Sequence, residues 1–180
     1  MRRLYGGLMN HVIPWHRLRR DRRTRSRVDY AAVVYGSLLA ASVIAASSTT
    51  SDFPRVEVVV LMLVTGLVFW MAHSYARLVG ERSVGQRLGW SEVREAGRRE
   101  RPIVEAAVLP AAVVALSPVL GLGLTATAWL ALSVAVAQQV GWAYVGALHA
   151  TSSRRVATIE GAINLVMGLV IVAAKAALGH

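Results

Sequence analysis

The chain is 180 residues long, 55% hydrophobic and only 17% charged, with a mean hydropathy of +0.48 and a formal net charge of +10. It has no cysteine, which excludes disulfides, thiolate metal sites and cysteine nucleophiles. Residues 106–153 carry no Asp, Glu, Lys or Arg. Crossing the hydrocarbon takes roughly 20 apolar residues, so that run alone reads as two membrane spans and not as one buried helix of a soluble domain.

Residues 1–28 form a basic cytoplasmic arm, in which nine arginines, Arg19, Arg20, Arg22 and Arg23 among them, face one acid, Asp21. Leu4, Leu8, Val12 and Trp15 recur at near-helical spacing. That points to an amphipathic helix on the inner leaflet, followed by a polybasic stretch drawn to anionic lipid headgroups. Gly6, Gly7 and Pro14 interrupt the pattern, and an unstructured arm that only fixes topology fits the same residues.

The transmembrane bundle is expected over residues 29–180. Span one covers about 30–48, where Ala32, Gly36 and Ala40 make a small-residue ridge that allows close backbone approach. The small residues near Ala45 resemble a signal cleavage site, but the long preceding region and span-length stretch favour a retained helix. A polar turn, SSTTSDFPR, leads to span two, about 56–76. Trp70 and Tyr75 suit the interfacial belt there, and Arg77 is expected to snorkel to the inner headgroups. The cytoplasmic segment 77–101 is charged, with Ser91 as the expected N-cap of a short surface helix and Trp90 as an interfacial anchor.

Pro102 opens span three, about 103–120, in which Pro110 and Pro118 each remove a backbone donor and favour a kink. GLGLT is a tight turn before span four, about 126–148. Span five, about 156–178, has a charge-free core of only Gly161 to Ala174, and Gly161, Asn164 and Gly168 form its close-packing face. The ridges on spans one and five fit packing within the bundle or a homo-oligomer contact.

The arm, the 77–101 segment and Arg154–Arg155 together hold eighteen of the twenty basic residues, leaving Arg55 and Lys175 on the other side. The positive-inside rule therefore predicts an all-α polytopic membrane helical bundle of about five spans in the cell (inner) membrane, N-terminus in and C-terminus out. The prevalence of Arg over Lys is the usage expected of a GC-rich bacterial genome. Two in–out–in hairpins, each ending in a Trp and then a His (Trp70 and His73, Trp142 and His149), hint at a parallel internal repeat.

Polar residues gather toward the inner half. Gln138, Trp142, Val145 and His149 share one face of span four, and Glu160 and Asn164 share a face of span five. Ionisable groups at membrane depth are costly to desolvate. His73, Glu105, His149, Glu160 and Asn164 are therefore the candidate polar inner cluster, a cytoplasm-facing vestibule able to pass protons or hold a cation. The competing reading leaves these groups at the inner interface, satisfied by water and headgroups. Gln138 and Asn164 are better suited to interhelical hydrogen bonding than to ligand binding.

No HExxH, His-rich tract, paired magnesium-binding acids, Ser/His constellation or phosphate loop appears. No catalytic residue, metal or cofactor is expected, nor is nucleic-acid binding, since the arm lacks a base-stacking pattern. The leading functional expectation is passage of protons, ions or a small solute. The alternative is a non-transporting membrane protein that recruits lipids or a cytoplasmic partner through its basic segments.

Overall fold

The computed structural model describes residues 30–47, 55–80, 89–151 and 153–178, and among these every regular element is helical. In chain order they are α1 (Tyr30–Ser47), α2 (Arg55–Gly80), α3 (Trp90–Glu100), α4 (Pro102–Leu116), α5 (Leu124–Thr151) and α6 (Arg154–Leu178). The arm with Arg19, Arg20, Arg22 and Arg23 lies outside the described residues.

Four of the helices, α1, α2, α5 and α6, are long and apolar enough to cross a membrane. At about 1.5 Å per residue, the 26 residues of α2 and the 28 of α5 each run roughly 40 Å. The helix α4 has only 15 residues, and the reason is Pro118. Without an N–H it cannot bond back to Val114, and Ser117 N–H takes that carbonyl instead at 3.4 Å. The chain continues as a tight turn over 117–120 and closes with Gly121 N–H donating to Pro118 O and Leu122 N–H to Ser117 O, both at 3.1 Å. This is a Schellman closure, and it needs the left-handed φ of +66° that Gly121 supplies without penalty. Pro118 therefore ends the helix expected over 103–120, while Pro110 sits fully buried inside it.

The long helices alternate in direction. Tyr30 at the start of α1 packs on Trp142 and His149 near the end of α5, and Gly36 meets Ile103 at the start of α4. Arg55 at the start of α2 donates to Leu122 O before α5, and Lys175 near the end of α6 lies over Trp129 near the start of α5. One end of the bundle thus carries α3, Pro102 and Arg154. The other carries the α4–α5 turn.

The centre of the bundle is α5, flanked by α1 and α6, with α4 wedged among α1, α2 and α5. Its inner face is built of small residues, and Ala131, Leu132 and Ala135 are fully buried. Gly36 lets α1 close on α4, since a Cβ there would come within 2.5 Å of Ile103 O. On the other side of α5, Gly168 of α6 meets Val136 and Gly161 meets Tyr144. The core proper (Ala40, Ala41, Ile44, Met62, Ala107, Ala111, Val114 and the α5 face) lies toward the turn end. The outside reverses the pattern of a water-soluble protein. Only Met62 and Gly66 of α2 are buried, while Val60, Leu63, Val64, Leu67 and Met71 are exposed, as are Ile159, Ile163, Val166 and Val170 on α6.

Candidate functional site

The structure gives each residue of the expected inner cluster its own surroundings. His73, half-buried on α2, packs on the Tyr35 ring of α1 with centroids 4.8 Å apart, and its Nδ1 lies 3.0 Å from Phe69 O. His149, exposed near the end of α5, stacks on Tyr30 at 5.4 Å, with Nδ1 2.8 Å from Val145 O. Each imidazole protonated at Nδ1 donates to the carbonyl one turn back, leaving Nε2 as the acceptor. Glu105 is exposed and accepts from Arg101 Nε at 2.6 Å. Glu160 is exposed on α6, and its backbone carbonyl accepts from Asn164 Nδ2 at 3.0 Å. Among the described residues, no hydrogen bond, ion pair or ring contact joins any two of His73, Glu105, His149 and the Glu160 carboxylate. No group of three His, Asp or Glu side chains there is arranged to hold a metal.

The polar groups that do converge are amides and a hydroxyl. Gln138 Nε2 donates to Ser37 Oγ on α1 and to Ala106 O on α4, both at 3.0 Å, and so ties three helices together. Ser37 is fully buried and donates in turn to Val33 O at 2.9 Å. The next residue, Gln139, points about 100° away around α5 and reaches α6, donating to Asn164 O and Oδ1 at 3.2 Å. Its Oε1 is buried and meets no donor. Ser37 escapes a hydropathy reading because a hydroxyl that can bond back one turn hardly marks a helix as polar.

Beside Gln138 a groove of about 600 Å³ opens between α1, α4 and α5, lined by Glu105, Leu109, Val134 and Trp142 among others.

The other constructed surface is at the α3 end. The cap of α3 is Gly89, not Ser91, and the Glu92 carboxylate accepts from Gly89 N–H at 3.2 Å, half of a capping box. Two contacts fasten α3 to α2. Trp70 Nε1 donates to Gly97 O at 2.7 Å, an approach that the missing side chain of Gly97 permits. Arg77 Nε donates to Glu100 Oε1 at 2.6 Å, and Glu100 is only 4% exposed. Arg77 thus ends in an ion pair with a residue 23 positions along the chain, with Glu100 buried and Arg77 partly exposed. Hydropathy marks Arg77 as interfacial, but nothing in a mainly basic segment singles out Glu100 as its partner.

With that face pinned, α3 turns Trp90, Arg94 and Arg98 outward around a groove of about 410 Å³ that Arg101 and Trp70 complete. The spacing of Trp90, Arg94, Arg98 and Arg101 (four, four, three) was the legible sign of one helical stripe. Glu95 pairs instead with Arg99 at 3.2 Å on another face.

No protein-family model matches the chain, and no curated protein or solved structure matches it.

Proposed function

We propose that this chain is a five-pass protein of the cell membrane with its α3 end in the cytoplasm, and that it is a non-transporting bundle whose basic inner surface engages anionic lipid or a cytoplasmic partner. Membrane residence is supported by the inverted surface, small and polar residues within and large aliphatic ones outside. A fifth crossing by α4 is supported by its two ends. Ile103 lies against Gly36 near the α3 end, and the turn after α4 meets Arg55 at the other. The orientation rests on charge, because the α3 end gathers Arg94, Arg98, Arg99, Arg101, Arg154 and Arg155, with the arm preceding α1.

The observation that carries the non-transporting reading is the separation of the ionisable residues and the pairing of the interior amide protons. Gln138 and Gln139 spend their amide protons on fixed protein acceptors, and the ionisable residues stand apart. A proton path needs groups within hydrogen-bond reach of one another or of bridging water. The test is a proton and cation flux assay on the purified protein in liposomes, beside the Glu160→Gln variant. Absence of flux above protein-free vesicles is expected, and flux abolished by Glu160→Gln would overturn the reading. Labelling of Ser91→Cys from the cytoplasmic side only, and of Ser51→Cys from outside, is expected of this topology.

One feature favours solute passage as a second reading, the groove between α1, α4 and α5. There Glu105 and Gln138 would be the working residues, and saturable uptake lost in Glu105→Gln would support it.

A further inference from the structure

We infer that the groove between α2 and α3 is a headgroup site for an anionic phospholipid of the inner leaflet, with Arg94 and Arg98 holding the phosphate and Trp90 standing at the interface beside it.

Arg94 and Arg98 stand one turn apart on α3, both exposed, and neither meets a carboxylate among the described residues. Like charges at that spacing destabilise a helix. Yet Glu95, on the same short helix, pairs with Arg99. The third guanidinium of the groove, on Arg101, has Glu105 as its partner. The groove is therefore cationic on balance, and a planar guanidinium fork matches the oxygens of a phosphate.

Trp90 and Trp70 decide between a soluble anion and a lipid. Trp90 is 79% exposed, an unfavourable setting for an indole in water and a favourable one at a membrane interface. Trp70 lines the groove, and with its N–H committed to Gly97 O it offers the occupant an apolar surface. The helix it belongs to, α2, carries exposed Leu67, Met71 and Val79 to the same end of the molecule. A cationic rim over an indole, continuous with an apolar helix, matches a molecule with a phosphate head and an acyl tail. Its volume of about 410 Å³ suits a headgroup. The groove is also fixed in advance, since Trp70–Gly97 and Arg77–Glu100 hold α3 in place without any occupant.

This inference rests on the reading that the α3 end faces the inner leaflet, and the two are separable by experiment. The full chain, purified and delipidated in detergent, is titrated with phosphatidylglycerol, phosphatidylcholine or water-soluble glycerol phosphate, and adducts are counted by native mass spectrometry. The expected result is preferential retention of phosphatidylglycerol. Arg98→Gln should weaken it about tenfold, and the Arg94→Gln/Arg98→Gln pair further, as for loss of charge-assisted hydrogen bonds. Arg99→Gln removes the same charge one residue away, outside the groove, and should leave retention unchanged.

Equal losses for Arg98→Gln and Arg99→Gln would overturn the site in favour of diffuse attraction. So would a wild type that does not distinguish the two lipids. Retention of glycerol phosphate as tight as that of the lipid would assign the groove to a soluble anion instead. Orientation is read separately by Ser91→Cys labelling. Outward labelling would sink the topology while leaving lipid retention in detergent untouched.

Discussion

At the turn end of the bundle the protein absorbs its own cations. Arg55 donates to Leu122 O at 2.6 Å, and Lys175, 7% exposed, lies 5.3 Å over the Trp129 ring. At the α3 end the arrangement is reversed. One arginine, Arg77, is consumed in fastening α3, while Arg94 and Arg98 are held out on that fastened helix. A count of basic residues along the chain misses this distinction. Cations at the turn end serve packing, whereas at the α3 end Arg94 and Arg98 meet no carboxylate among the described residues.

The largest effect expected from breaking this contrast comes at the fastening. Arg77→Leu leaves Glu100 buried and charged, which should cost about 3 kcal/mol or more, read as loss of folded protein on chemical unfolding in micelles. Adding Glu100→Gln should recover most of it, and failure of that rescue would mean that Arg77 acts mainly through its other contacts. Next comes Gly36→Val, whose side chain would meet the Ile103 backbone. Forcing α1 from α4 should cost about 2 kcal/mol, while the isomorphous change at Gly123, where a Cβ meets nothing within 4 Å, should cost clearly less.

Gln138→Leu removes the tie between α5, α1 and α4, a loss of about 1 kcal/mol by the measure of membrane interhelical hydrogen bonds. A larger loss would mark the groove beside it as water-filled. The smallest effect is expected at the turn end. Arg55→Gln should leave retention of anionic lipid unaltered. A fall in retention as large as that of Arg98→Gln would erase the difference between the two ends.

Much of this architecture was legible in the residues. Hydropathy marked the four long helices to within a few residues, because an apolar stretch of 18 or more positions reports burial in lipid or protein alike. The packing face of Gly161, Asn164 and Gly168 was legible from spacing, and all three residues meet α5. What stayed hidden depends on contacts between distant segments. Gln138 and Gln139 are adjacent amides with the same local signal, and only the positions of α1, α4 and α6 give them different partners. Spacing along one helix grouped Glu160 with Asn164, but the structure turns the Asn164 amide back to a backbone carbonyl and leaves the Glu160 carboxylate outward. A list of polar residues by depth carries no angular information from one helix to the next, so it could not separate His73 from His149 or Glu105.

The junction between α3 and α4 has a mechanical consequence. Only Arg101 separates Glu100 from Pro102, and its backbone is itself helical at φ −50°, ψ −36°. There is no slack there to absorb a displacement. If α3 is pulled down or tilted as it meets the bilayer surface, the movement passes directly into α4, whose first turn bears on Gly36 of α1. Pro102 opens α4 at the position where a missing N–H costs the helix nothing.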